Sequence, residues 1–188
     1  MKIIGFVGLP GSGKSVASDV AREMGFPVLV MGDIIRREAA ARGLDPSDEN
    51  LGRVGNMLRA SEGPDAVARR TLERAGKEKM VIVDGLRSKA EADFFSANCG
   101  EFHLINIAAP ANSRIRWLES RGRPDDPRAP SASSAGQMPA ALEKREGREM
   151  GWGMSEAMKE ADLVLRNDGD LEEFRNAVRM MLKGFQRE

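Results

Sequence analysis

Short apolar runs alternate with amphipathic stretches along the chain. Five runs have the length of a strand and no alternation with polar residues; they cover residues 2–7, 26–31, 79–84, 101–109 and 161–167. Strands of this kind are typical of a parallel sheet that is buried on both faces. Between the runs, apolar residues recur at helical spacing, most clearly over residues 170–185. The pattern predicts one α/β domain over residues 1–188, with a doubly wound parallel sheet between layers of helices.

Two segments are longer than a simple crossover between strands requires. The first, about residues 33–76, contains two or three helical patterns, and Gly63-Pro64 is expected to end one helix and start the next. The second, about residues 121–137, is rich in Pro, Ser, Gly and Ala, which cannot build a packed core. Arginines near the start of this second segment favour a lid that closes over phosphates; they are Arg114, Arg116, Arg121, Arg123 and Arg128.

Composition narrows the classes of partner. The chain has 29 basic and 29 acidic residues, so it has no broad basic field that would attract nucleic acid or a membrane surface. Its apolar runs are shorter than the roughly 20 residues that a membrane span needs, and its first residues do not resemble a secretory signal. The single cysteine, Cys99, excludes an internal disulfide. We therefore expect a cytoplasmic protein without a membrane partner, while the sequence leaves the oligomeric state open.

Residues 8–15, Gly-Leu-Pro-Gly-Ser-Gly-Lys-Ser, match the pattern G-x-x-x-x-G-K-[ST] in full. The match lies between a predicted strand and a predicted helix, which is the setting of a phosphate-binding loop. Its glycines let backbone N–H groups turn toward an anion, and the helix N-terminus adds partial positive charge. Lys14 is expected to reach the β- and γ-phosphates, while Ser15 and the strand-end Asp84 hold Mg²⁺. The candidate nucleotide-binding residues of the loop are Gly8, Leu9, Pro10, Gly11, Ser12, Gly13, Lys14 and Ser15.

Three further segments resemble known kinases. Residues 31–38 and 83–88 are similar to two motifs of the nucleoside monophosphate kinases, above all adenylate kinase, and residues 161–174 resemble the end of dephospho-CoA kinase. Together with residues 148–154, the combination most resembles an archaeal family of adenylate-kinase-related, dephospho-CoA-kinase-like P-loop proteins. The resemblance covers nearly the whole chain. It implies the three-layer P-loop NTPase fold, with five parallel strands in the order 2-3-1-4-5.

The resemblance also implies residue roles. It makes Arg36 and Arg87 a clamp on the phosphate of the acceptor, and it makes residues 33–76 the acceptor-binding insertion. The lid arginines Arg121 and Arg123, and less directly Arg116, would neutralise the donor phosphates in the transition state.

Two further groups complete the implied site. Arg145 and Arg148, on the predicted helix after the lid, would complete the cage around the donor phosphates. Asn167 and Gly169 match a loop whose backbone borders the adenine of the donor and which needs no side-chain contact. The rings of Trp117 and Trp152 are able to stack on a base, but both lie beside apolar helical positions, which favours simple packing against neighbouring side chains.

The sequence does not identify the molecule that accepts the phosphoryl group. Adenylate kinase has a proline between the Asp-Gly pair and the arginine of its second motif, whereas this chain has none, which moves Arg87 by one residue. No segment matches the part of adenylate kinase that recognises the adenine of AMP. If the acceptor offers a hydroxyl, Asp33 is the candidate base; if it offers a phosphate, Asp33 would orient a ligand or cap its helix.

The sequence thus predicts an enzyme that transfers a phosphoryl group from Mg-ATP to a small, nucleotide-like acceptor. The candidate catalytic residues are Lys14, Asp33, Arg87, Arg121 and Arg123. One alternative is a dephospho-CoA-type kinase that acts on a hydroxyl. A second is a binding protein that hydrolyses ATP slowly and switches with the bound nucleotide. Acceptor-side arginines and a lid favour a kinase, because hydrolysis needs neither.

Overall fold

The structure, a computed structural model, describes residues 1–122 and 139–187. Its strands are β1 (Lys2–Val7), β2 (Val28–Val30), β3 (Met80–Leu86), β4 (Glu101–Ala108) and β5 (Leu163–Arg166). Within these residues they form one sheet in the order β2-β3-β1-β4-β5, and all four pairings are parallel. The predicted α/β fold and strand order are therefore confirmed. No helix of the described ranges is long and apolar enough to cross a bilayer.

Helices connect the strands and cover the sheet. They are α1 (Lys14–Glu23), α2 (Met31–Ala41), α3 (Asp48–Glu62), α4 (Ala66–Leu72), α5 (Lys89–Asn98), α6 (Ala111–Arg121), α7 (Ala140–Gly151), α8 (Met154–Lys159) and α9 (Leu171–Arg187). Helices α2 to α4 form the predicted insertion between β2 and β3. Helix α3 ends at Gly63, whose φ of 104° is a conformation that other residues rarely adopt. The predicted break at Gly63-Pro64 is confirmed.

The core lies on both faces of the sheet because alternate strand residues point to opposite sides. Ile3 and Val7 of β1 pack with residues of α2, α4, α5 and α8. Ile4 and Phe6 pack on the other face with residues of α1 and α9. All four side chains are fully buried, and each contributes about 1.5–3 kcal/mol through the hydrophobic effect. This burial fixes the ends of the central strands, where the site lies.

The expectation that all five strands are buried on both faces is wrong for the two outer strands. Leu163 and Val164 of β5 are 41% and 52% exposed. Strand β2 is only half-buried, and it is shorter than the predicted run because Met31 already begins α2. Each of these strands lies at an edge and therefore has a neighbouring strand on one side only. Apolar composition alone does not distinguish an edge strand from a central one.

Candidate active site

The phosphate-binding loop connects β1 to α1 at the carboxyl edge of the sheet. Gly8, Gly11 and Gly13 have φ values of 147°, 78° and 109°. A Cβ atom at Gly8 would lie 2.3 Å from the carbonyl oxygen of Ile107, and one at Gly13 would lie 2.4 Å from Asn167 Nδ2. Both the backbone conformation and the close approach of β4 and the Asn167 loop therefore require glycine here.

The loop forms a cradle that fits an anion. Among the described residues, Ser12 Oγ is buried without a hydrogen-bond partner. The Nζ of Lys14 donates to the carbonyl oxygens of Gly8 and Leu9, at 2.5 and 3.0 Å. The carbonyl groups of Gly8 and Leu9 therefore point toward the lysine. The amino end of α1 lines the cleft. Such a helix end attracts phosphate.

Asn167 makes a side-chain contact that the resemblance did not imply. It lies just beyond β5 and is 4% exposed, and its Nδ2 donates to the carbonyl oxygen of Ser12 at 3.0 Å. The side chain of Asn167 therefore supports the loop, a role separate from the expected position of its backbone beside the adenine. Because the chain brings residues 12 and 167 together only in the folded sheet, no local pattern could reveal this bond. Gly169 lies with Asn167 at the edge of the same cleft.

A cleft of about 580 Å³ opens above the loop. Lys14 and Ser15 line its floor, and Arg36, Arg87, Arg121 and Arg145 line its walls. The pKa of Lys14 is lowered to about 7, chiefly by loss of hydration; the positive charges of Arg87, Arg145 and Arg121 act in the same direction, and Asp84 opposes them. The cleft is therefore an environment that disfavours positive charge until an anion enters it.

The candidate metal ligands Ser15 and Asp84 both line the cleft. The Asp84 carboxylate is 6% exposed and accepts a hydrogen bond of 2.9 Å from the Ser18 hydroxyl, one turn beyond Ser15 on α1. That bond orients the carboxylate. The described ranges contain no group of three or more His, Cys, Asp or Glu side chains that could hold a metal ion. One hydroxyl and one carboxylate suit Mg²⁺ when phosphate oxygens and water supply its other ligands.

A second, smaller pocket adjoins the cleft. Its volume is about 50 Å³, and it lies between α2, α3, α7 and the connection from β3 to α5. Five arginines line it, namely Arg36, Arg59, Arg87, Arg145 and Arg148. Arg36, Arg87 and Arg145 also line the cleft, so they form the boundary between the two spaces.

The boundary arginines are held by carboxylates. Arg36 pairs with Asp33 at 2.7 Å, and Arg145 Nε lies 3.2 Å from Glu149 Oε1. Glu149 also contacts Arg87. Burial lowers the pKa of Arg87 to about 9, with a further contribution from Arg145, while Glu91 opposes the shift. These ion pairs hold the guanidinium groups in place before any ligand is present.

The position of Arg87 depends on a cap at the start of α5. The backbone N–H of Arg87 donates to Glu91 Oε2 at 2.7 Å, and Ser88 Oγ accepts from the N–H of Glu91 at 3.2 Å. The other oxygen of Glu91 accepts from Arg59 of α3 at 2.7 Å. The cap therefore ties the β3–α5 connection to the insertion, although sequence reasoning did not single out Glu91. The spacing Ser-x-x-Glu is a signal of a capping box that would have indicated it.

Asp33 does not cap its helix. Val30 occupies the cap position of α2 and makes no side-chain cap bond, because the helix begins at Met31 and places Asp33 in its first turn. There its charge suits the helix dipole. Asp33 is not among the described residues that line the cleft or the second pocket.

The remaining arginines of the predicted lid and cage do not lie together in one site. Arg121 lines the cleft, whereas Arg116 is exposed and is not among the described residues that line it. Arg148 lines only the second pocket, where it pairs with Asp48 of α3 at 2.7 Å. Arg123 and Arg128, with most of the predicted lid over 121–137, lie outside the described residues.

Packing was favoured over stacking on a base for the two tryptophans, and the structure places each of them at the wall of a pocket. Trp117 is 36% exposed and lines the cleft. Trp152 lines the second pocket, and the guanidinium of Arg59 lies 4.1 Å from its ring centroid. Its indole nitrogen donates to Asn56 at 2.8 Å. Trp152 lies within residues 148–154, which were part of the sequence resemblance, and that segment was the available signal.

Comparison with known proteins agrees with the fold and the loop. The AAA domain family matches residues 7–130. A UPF0200 protein of Methanothrix thermoacetophila is 52% identical over 183 residues, which are 97% of this chain and 97% of that protein. A UPF0200 protein of Methanosarcina mazei is 44% identical over 188 residues, covering 98% of this chain and 96% of its own length.

Solved structures share the architecture. A shikimate kinase from Bacteroides thetaiotaomicron superposes with a TM-score of 0.64 at 13% identity, over 98% of each chain. TT1252 from Thermus thermophilus superposes with a TM-score of 0.59 at 22% identity, over 97% of this chain and 96% of that one. These likenesses confirm a fold of the P-loop kinase type. On the sequence matches, the chain belongs to the AAA domain proteins and, within them, to the archaeal UPF0200 family that the resemblance predicted.

Proposed function

We propose that this protein transfers the γ-phosphoryl group of Mg-ATP to a small, nucleotide-like acceptor. One observation carries the proposal: Arg36, Arg87 and Arg145 line both the cleft above the phosphate-binding loop and the second pocket. Arginines at a boundary between two ligands can neutralise a phosphoryl group as it passes between them. Hydrolysis would need no second pocket.

The donor would occupy the cleft. Lys14 would bind its β- and γ-phosphates, and the N–H groups of the loop would hold the same oxygens. Ser15 and Asp84 would hold Mg²⁺, which neutralises phosphate charge when it is bound. Trp117 offers an exposed aromatic face at the rim.

The acceptor would occupy the second pocket, with an anionic group on Arg36 and Arg87. In the transfer, the bond from the γ-phosphorus to the bridging oxygen of ADP breaks and a bond to an acceptor oxygen forms. A phosphate oxygen is already ionised and needs no base, whereas a hydroxyl must lose its proton. Asp33 is not among the described residues that line either pocket, and its carboxylate is paired with Arg36; both facts favour an acceptor that offers a phosphate.

ADP formation from Mg-ATP tests the proposal directly. The reaction is run alone and with AMP, CMP, UMP, GMP, dephospho-CoA and nucleosides, and the mass of each product is measured. We expect at least one phosphate-bearing acceptor to accelerate ADP formation and to gain the mass of a phosphoryl group. Stimulation by dephospho-CoA alone would instead support a kinase that acts on a hydroxyl. Slow hydrolysis that no acceptor changes would support a nucleotide-switched binding protein.

Replacing Arg36 by Gln tests the acceptor role. We expect R36Q to raise the acceptor KM about tenfold or more, because it removes a charged hydrogen bond to the acceptor, and to affect basal ATP hydrolysis much less. The matched control is R37Q, which alters the next residue of α2, an exposed arginine. Equal losses of transfer and hydrolysis in R36Q would contradict the acceptor role.

A further inference from the structure

Arg114 contacts the phosphate-binding loop from behind. It belongs to α6, is 3% exposed, and donates through Nη1 to the carbonyl oxygen of Pro10 at 3.0 Å. It is not among the described residues that line the cleft, so a bound nucleotide would not touch it. Arg114 can therefore act on a nucleotide only through the loop.

The contact decides which way one peptide group points. The C=O of Pro10 and the N–H of Gly11 belong to the same planar trans peptide, so they point in opposite directions. Arg114 holds the carbonyl on the α6 side, and the N–H of Gly11 is thereby turned away from α6. Gly11 and Pro10 both line the cleft.

The packing of Gly11 leaves this peptide little freedom. A Cβ atom at Gly11 would lie 2.8 Å from the carbonyl oxygen of Arg114 and 2.9 Å from the side chain of Leu118. Gly11 therefore packs against Arg114 and Leu118, which lie on successive turns of α6. A shift of α6 or of Arg114 would be transmitted directly to this peptide.

Arg114 is itself held by a carboxylate. The same Nη1 contacts Glu146 of α7, which is mostly buried. Neighbouring residues of that helix line the boundary and the second pocket, since Arg145 and Glu149 come from the same turns. The contacts therefore run from α7 through Glu146 and Arg114 to the loop.

We propose that Arg114, held by Glu146, is a positioning residue that orients the Pro10–Gly11 peptide for phosphate binding. The inference rests on nucleotide binding at the loop, which is part of the proposed function. It gives Arg114, which the sequence grouped with the lid arginines, a different role at the loop, and it adds Glu146, which the sequence did not single out. Helix α7 is thereby connected to the donor site.

Calorimetric titration with Mg-AMP-PNP tests the inference without any acceptor. We expect R114Q to weaken binding about tenfold, the loss of one well-directed hydrogen bond to a charged phosphate. E146Q should weaken binding less, and R114K, which keeps a donor and a charge, should recover most of the affinity. The double variant R114Q/E146Q should bind no more weakly than R114Q, because both changes act through one contact.

Two matched variants control for general effects. E143Q removes an exposed carboxylate from α7, and R179Q removes an arginine that is ion-paired to Glu172 on α9. Urea unfolding of each variant shows whether it is folded. If R114Q does not fold, the comparison of E146Q with E143Q still decides whether the contact contributes to binding.

The outcomes separate this inference from the proposed function. Affinity in R114Q equal to that in R179Q, or affinity in E146Q equal to that in E143Q, would overturn the positioning role. A wild-type protein that binds no Mg-AMP-PNP would overturn the proposed function and this inference with it.

Discussion

At the scale of the residue, the surroundings of Lys14 favour the binding of phosphate. Its ammonium group is held by two carbonyl groups of its own loop, among arginines of the same sign. Loss of hydration, with the nearby positive charges, lowers its pKa to about 7. The phosphates of a nucleotide would add negative charge beside the ammonium group and raise the pKa toward its usual value of 10.5.

Nucleotide binding should therefore take up a proton above pH 7. At pH 8 the free lysine has mostly lost its proton, whereas the bound lysine keeps it, so uptake should approach about one proton per site. Affinity should then fall as the pH rises above 7. Calorimetric titration of Mg-ATP in two buffers of different ionisation enthalpy measures this uptake.

The variant K14M is the control for this measurement. It should bind Mg-ATP more weakly, and the number of protons taken up per site at pH 8 should be much smaller than in the wild-type protein. Identical enthalpies in both buffers for the wild-type protein would contradict the lowered pKa of Lys14.

Sequence reasoning found the residues whose roles are local. Gly8, Gly13 and Lys14 were predicted because their spacing carries the function of the loop by itself. The contacts of Asn167 with Ser12 and of Trp152 with Arg59 were not predicted, because they depend on segments that approach only in the folded chain. Such contacts leave no periodic pattern.

At the scale of the element, the start of α5 connects helix stability to the site. Ser88 and Glu91 form the cap, and Glu91 reaches both the Arg87 backbone and Arg59. The strand, the helix and the insertion are thus joined at one point. The edge strands show the limit of prediction at this scale, since neighbours in the sheet rather than composition decide their burial.

Replacing Ser88 by Ala should lower the free energy of unfolding by about 1 kcal/mol, because it removes the cap of α5. Urea denaturation measures this change. S96A, at an exposed position of the same helix, should change the stability by less than about 0.5 kcal/mol. Equal stability of S88A and S96A would show that the cap contributes nothing measurable.

At the scale of the whole molecule, a chain with no net charge concentrates arginines around one edge of its sheet. The five arginines of the second pocket come from α2, α3, α7 and the β3–α5 connection. The resemblance predicted the sheet order that brings these elements together, and it identified Arg36 and Arg87. It did not identify the carboxylates Asp48, Glu91 and Glu149, which hold the arginines in place.

The fate of the γ-phosphoryl group tests the central claim most directly. The protein is incubated with ATP labelled by ¹⁸O in that group, with magnesium and each candidate acceptor, and labelled products are measured by mass spectrometry. We predict that, with at least one acceptor, most of the label appears in an organic phosphate and little in inorganic phosphate. Label found only in inorganic phosphate, whatever acceptor is present, would contradict phosphoryl transfer as the function of this site.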